Sequence, residues 1–292
     1  FSAPVLLDDS LTDTERLVLL QPHPAAYARW ESAQRLGLSR LLAALPGDAA
    51  LVLDEGYLGA MRDVLRHGSL DAAFKELVLT PPSELFVAEQ VPKLDPQRIR
   101  AVREQMLDQL ADRLHADWQQ AWDAQPVGTG YQPDAEQSGR RALVNLALTM
   151  LVRHATRHDQ AAWPGKAYQR VKDGPSMTER HGALAALVDA HHELAEPALA
   201  HFHAQFRHEP LVLDKWFALQ ARAPEKDGRV FAGVKQLLQH PDFSLKNPNR
   251  ARSLLQSLCN HNPGAFHRSD AAGYVFWAER VIELDGMNPQ LA

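Results

Sequence analysis

Hydrophobic positions along most of this chain recur at three- and four-residue steps, the spacing that puts side chains on one face of a helix. The clearest stretch opens at Asp95-Pro96, where Ile99, Val102, Met106, Leu110, Leu114, Trp118 and Trp122 share a face. It predicts one helix running to Ala124, with its aromatics packed in the core. Leu143, Leu146, Ala147 and Met150 predict a second helix over Arg140 to Arg157. Leu184, Leu187 and Val188 point inward from a third, over Thr178 to His192.

Punctuation residues set the boundaries. Thr12-Asp13-Thr14-Glu15 is a capping box before Leu17-Val18-Leu19-Leu20. Pro24 opens a segment running through Trp30 and Leu36 to Leu45, and Pro46-Gly47 closes it. Pro126 to Gly139 reads as a Gly/Pro/Gln-rich break. Pro164-Gly165 and Gly174-Pro175 bracket a short piece, and Pro197, Pro210, Pro224 and Pro241 punctuate the next helices. Asn-Pro recurs at Asn247, Asn262 and Asn288, each time able to start a helix. The expected fold is all-α, an irregular α-solenoid of stacked helix pairs of the HEAT or armadillo kind. Only Phe1 to Leu7 leans to β, as a strand remnant of a sheet in a preceding domain. The expected division is residues 1–9 as that domain's end and 10–292 as the helical domain. The Asn288-Pro289 start stops at Ala292, so the domain is expected to be incomplete there.

Composition narrows the classes. With 292 residues, 45% hydrophobic and 23% charged, the chain has a soluble globular profile. A net charge of −5 offers no basic excess for nucleic acid. No apolar run approaches the ~18 residues that span a bilayer. Cys259 is the single cysteine, which excludes an intrachain disulfide and fits a reducing compartment, so a cytoplasmic location is expected. Its simplest role is a small buried apolar residue.

The candidate chemistry is sparse. In Asn247-Pro248-Asn249-Arg250-Ala251-Arg252, Asn247 can cap and Pro248 suits the first helical position. Two arginines then sit at the positive end of the helix dipole, each unfavourable by about 0.3–1 kcal/mol unless an anion answers. That anion is an acidic side chain of the fold or the carboxylate of a ligand. His154 and His158 share a helix face and could ligate zinc, but Ala155 stands where a zinc hydrolase of the H-E-x-x-H type carries its glutamate base. The simpler role is interaction with a helix C-terminus. His181, His191, His192, His201, His203 and His208, with Glu193 and Glu196 among them, form a histidine-dense region without a closed tetrahedral spacing, and whether it binds metal is left open. His267 could sit with Asp270, but no nucleophile accompanies them. There is no G-x-G-x-x-G, P-loop or paired-cysteine motif. The chain alone does not look like a complete catalyst.

Several segments, in order along nearly the whole chain, resemble the C-terminal helical domain of the bacterial-type aminopeptidase N family, the zinc gluzincin aminopeptidases. They are Phe1-Ser2-Ala3-Pro4-Val5, Leu79-Thr80-Pro81-Pro82-Ser83-Glu84, Asp214-Lys215-Trp216-Phe217-Ala218-Leu219-Gln220-Ala221 and Asn247-Pro248-Asn249-Arg250-Ala251-Arg252-Ser253-Leu254. Gly264-Ala265-Phe266-His267 and Gly273-Tyr274 extend them. The resemblance implies a four-domain parent enzyme that removes N-terminal residues from peptides. Its zinc ligands and general base would lie in an upstream catalytic domain of the same polypeptide, outside this chain, which itself would carry no metal or catalytic residue. Phe1 to Leu7 would be the last strand of the parent's β-sandwich. The helical domain would cap the catalytic domain, enclose the substrate cavity and admit short peptides. Arg252, and secondarily Arg250, would face the peptide's C-terminal side. Asp214, Lys215 and Trp216 would be structural, with Asp214 and Lys215 able to pair. The alternative is a free-standing HEAT- or armadillo-like adaptor that binds a protein partner.

Overall fold

A computed structural model of the chain describes residues 9–20, 25–124 and 130–292. The expected strand at Phe1 to Leu7 and the opening at Pro24 lie outside them. Every regular element among the described residues is helical. In chain order they are α1 (Asp13–Leu20), α2 (Ala26–Ala44), α3 (Glu55–Arg66), α4 (Ala72–Leu79), α5 (Glu84–Ala88), α6 (Pro96–Arg113), α7 (His115–Asp123), α8 (Ala135–Arg157) and α9 (Ala162–Asp173). Then come α10 (Met177–Asp189), α11 (Ala195–Phe206), α12 (Pro210–Arg222), α13 (Arg229–Leu237), α14 (Pro248–Ala251), a π turn (Arg252–Gln256), α15 (Ser257–His261), α16 (Pro263–Phe266) and α17 (Ala272–Asp285). No helix among the described residues is long and apolar enough to cross a membrane.

Short polar side chains start these helices. Thr12 and Glu15 form the capping box at α1, with each side chain taking the other's backbone N–H. Asp54, Asp71, Ser83, Asp95, Asp134, Ser176, Asn247 and Asn262 each accept a backbone N–H of the first turn they precede. Each such cap stabilises by about 1 kcal/mol.

The helices stack mainly on their sequence neighbours, as a solenoid requires. α1 lies on α2, α3 on α4 and α7, and α10 on α8, α9 and α11. Helix α12 packs on α13 and on the π turn with α15. The long α8 is the hub, touching α4, α6, α7, α9 and α10. One hydrophobic core runs from Leu20 to Leu284, with Trp118, Phe202 and Phe217 fully enclosed. The stack also curls back on itself. Gln97 Nε2, in the first turn of α6, donates to Gly264 O in α16 at 2.8 Å.

Three boundaries differ from the periodicity. The stripe from Ile99 to Trp118 is buried as expected, but its helix breaks at Leu114, whose backbone (φ −111°, ψ 20°) leaves the helical region. The break is supported from within. Leu110 O accepts the Leu114 N–H at 3.2 Å and also the Trp118 indole N–H at 3.0 Å, so Trp118 folds under the turn. Helix α8 begins at Ala135 rather than Arg140, with Gly139 inside it, because Asp134 and Gln137 form a start that the Gln/Gly-rich composition obscures. At Asn288-Pro289 the chain makes a turn, with Leu291 N donating to Asn288 O at 2.9 Å.

Candidate functional site

The Asn247-Pro248 start forms as the residue types dictate. Asn247 Oδ1 accepts from the Asn249 N–H at 3.1 Å and the Arg250 N–H at 3.3 Å, and Pro248 takes the first helical position. Residues two apart on a helix point about 200° apart, so Arg250 and Arg252 part company. Arg250 turns inward and is 6% exposed. Its Nε donates to Asp214 Oδ1 at 2.5 Å, its other nitrogens reach the carbonyls of Asp242 and Pro210, and its guanidinium lies over the Phe217 ring at 5.2 Å. The anion demanded by the dipole is thus, for Arg250, a side chain of α12. Asp214 pairs with Arg250, where the sequence suggested Lys215. The two most specific segments of the sequence, Asp214 to Phe217 and Asn247 to Arg252, meet at this ion pair.

Arg252 turns outward. It is exposed and opens the π turn, and no ion pair holds it among the described residues. A π turn carries one extra residue per hydrogen-bonded loop and often marks functional positions. Beside Arg252 is a cavity of about 340 Å³ walled by Leu255, Cys259, Phe276, Trp277, Arg280 and Leu284, with Gln290 to Ala292 also at its edge. Burial pushes the Cys259 thiol up to about 11, so the sulfur stays protonated and unreactive at neutral pH.

A second, charged cavity of about 290 Å³ lies where α6, α8, α10 and the loop after α12 meet. Glu104 and Asp108 of α6 face Arg153 and Arg157 of α8. Arg153 bridges Glu104 at 2.5 Å and Asp108 at 2.6 Å, and Arg157 reaches Asp108 at 3.3 Å and Asp112 at 2.5 Å. Asp189 of α10 also lines it. Burial and the nearby Glu104 push its carboxyl up to about 7, against the pull of Arg153, Arg103 and Arg100.

The histidines fall into pairs that the sequence could not align. His154 and His158, in the last turn and cap of α8, both reach Asp112 at the end of α6. Within the histidine-dense region, His203 meets Asp242 at 2.7 Å, while His240 Nδ1 accepts the Asp242 N–H at 3.1 Å. His191 Nε2 lies 2.6 Å from Pro224 O, and burial holds its pKa down. His267 pairs with the Tyr274 hydroxyl at 2.8 Å, not with Asp270, whose partner is Arg268 at 2.7 Å. Sequence reasoning missed Asp112, Asp189 and Asp242 because their partners lie on other elements, tens of residues away.

Comparison with known proteins places these features in context. Residues 13–292 match a family described as a domain of unknown function (DUF3458_C) of ARM repeats. The chain is 35% identical over 301 residues to the aminopeptidase N of Caulobacter vibrioides. It is 34% identical over 295 residues to that of Haemophilus influenzae and 32% over 295 residues to that of Escherichia coli. In each case all of this chain aligns with 33% of the relative, so it spans about a third of the length of the curated relatives it matches. The crystal structure of Legionella pneumophila aminopeptidase A in complex with aspartic acid superposes with a TM-score of 0.86 at 27% identity, covering 99% of this chain and 34% of that one.

Proposed function

We propose a function from one premise: this chain belongs to the DUF3458_C family of ARM-repeat domains. It is the accessory C-terminal domain of a zinc-dependent aminopeptidase that removes N-terminal residues from peptides in the cytoplasm. The observation that carries this reading is the alignment of the whole chain to a third of each of three proteins named aminopeptidase N. The fold supports it. A curled helical stack presents walls and exposed side chains, while the buried charges of Asp117, Glu179 and Arg250 are paired within the fold.

Zinc in such an enzyme supplies Lewis-acid polarisation of the scissile carbonyl and an activated water. This chain has no H-E-x-x-H run, and the His154–His158 pair has Ala155 in the position of the glutamate base. The residues present do not fit the catalytic ion, which is assigned to an upstream domain of the same polypeptide. What this chain contributes is cavity wall, size exclusion and a cation for the far end of a short peptide. Arg252 is that cation: it is exposed, unpaired among the described residues and set on a cavity wall. Arg250, its charge committed to Asp214, holds the helix that presents Arg252.

The purified chain, assayed with an aminoacyl reporter substrate, is expected to show no turnover, and fusion to its upstream catalytic region is expected to give chelator-sensitive activity. Chelator-sensitive cleavage by the chain alone would sink the assignment.

A further inference from the structure

The break at Leu114 sets two side chains beside the end of α8. Asp112 is in the last turn of α6, and His115 opens α7. From α8, His154 Nδ1 lies 2.8 Å from Asp112 Oδ1, and His158 Nε2 lies 3.3 Å from the same oxygen. All three atoms fall within 4.8 Å of one another. The rings form a stack, with His115 on His154 at 4.0 Å and His154 on His158 at 4.3 Å between centroids. The buried Nδ1 of His115 has no hydrogen-bond partner.

Two N–H groups converging on one carboxylate oxygen describe the outline of a metal site with protons in place of the ion. Zinc holds nitrogen and oxygen ligands at about 2.0–2.2 Å, which in a tetrahedron puts the donor atoms about 3.3–3.6 Å apart. The observed separations reach that spacing by small side-chain adjustments. Asp112 supplies a carboxylate for the ion, with Arg157 its ion-pair partner on the other oxygen. Arg157 holds Asp112 through Oδ2, leaving Oδ1 to face the histidines, the orienting role that outer partners play at metal sites. The other candidate group, His203, His240 and Asp242, is less suited. There His240 Nδ1 already accepts a backbone N–H and sits 3.9 Å from the carboxylate.

We propose that Asp112 Oδ1, His154 Nδ1 and His158 Nε2 bind a zinc ion, with a water completing the tetrahedron. The ion fastens the end of α8 to the break between α6 and α7. This site stands independently of the function proposed above.

The test is calorimetric titration of zinc chloride into the chelator-treated chain, with cobalt(II) as a spectroscopic substitute. One equivalent is expected to bind, with the intense visible bands of four-coordinate cobalt and a rise in thermal midpoint on adding zinc. His158→Ala, at a half-exposed position, is expected to weaken binding at least about tenfold and to abolish the cobalt bands. Asp112→Asn is expected to do the same, while His203→Ala leaves stoichiometry and affinity unchanged. Circular dichroism confirms that each variant is folded. Wild-type zinc affinity in both His158→Ala and Asp112→Asn, loss of binding in His203→Ala, or no binding to the wild type would each overturn the site.

Discussion

Arg250 and Arg252 show how far two positions can separate two fates. The sequence places both in the first turn of one helix and demands an anion for their charge, and 3.6 residues per turn already puts them on opposed faces. What the sequence could not supply was the anion, since Asp214 lies 36 residues upstream on α12. Arg250→Ala is expected to leave the partly buried Asp214 carboxylate uncompensated and to cost about 3 kcal/mol, read as a lower urea midpoint. Arg252→Ala is expected to change stability by less than about 0.5 kcal/mol. On the function proposed above, and in the fusion to an upstream catalytic region, it should instead raise KM for short peptides more than for an aminoacyl reporter, which lacks the distal carboxylate. Equal effects on the two substrates would remove Arg252 from the proposed peptide site. The histidines repeat the lesson. His154 and His158 are legible as a shared helix face, but Asp112, the group they face, belongs to another helix.

At the level of elements, most helices announced themselves through caps and periodicity, and the misreadings have definite causes. The stripe through Leu114 stays in phase across the α6–α7 break, so periodicity alone cannot register it. The Trp118 indole bond to Leu110 O that accompanies the break is a tertiary detail of a buried side chain. The start of α8 was hidden by Gly139, a residue that reads as a helix breaker. Its reason is the crossing with α4, where a Cβ on Gly139 would stand 2.8 Å from Ala73 N and 2.9 Å from Ala73 Cβ. Gly59 in α3 is the contrast, with nothing within 4 Å of the corresponding point. Gly59→Ala is therefore expected to stabilise by about 0.5–1 kcal/mol through helix propensity. Gly139→Ala is expected to destabilise by about 1–3 kcal/mol, because the helices must move apart. Chemical denaturation of the two variants decides it: a gain at Gly139 would mean that the α4–α8 crossing is not close.

On the scale of the whole molecule, the helical class was readable from the hydrophobic spacing, and the domain's likeness from its ordered segments. The return of α16 onto α6 was not, because 167 residues separate Gln97 from Gly264 and no local signal links them. The same curl gathers α6, α8, α10 and the loop after α12 around the charged cavity, and that makes Asp189 a reporter of the assembled fold. Its carboxyl is raised from 3.8 to about 7 in the folded chain, by burial and by Glu104. Between those values the native state holds a proton that the unfolded state has released. Stability contributed by the protonated group is thus complete below about 3.8 and lost as pH climbs to about 7, at up to about 1.4 kcal/mol per pH unit. His191, which lines the same cavity, works the other way, since burial lowers its pKa and its contribution grows as pH rises toward 6.5. The total profile therefore mixes the two, and a difference experiment isolates Asp189. Asp189→Asn keeps the shape and removes the titration, so its stability relative to the wild type is expected to climb between pH 5 and pH 7 and level off by pH 8. Urea unfolding of both proteins across that range measures the difference. A flat difference would show that Asp189 ionises freely and that the cavity admits water to it, loosening the junction between the helices that the curl brings together.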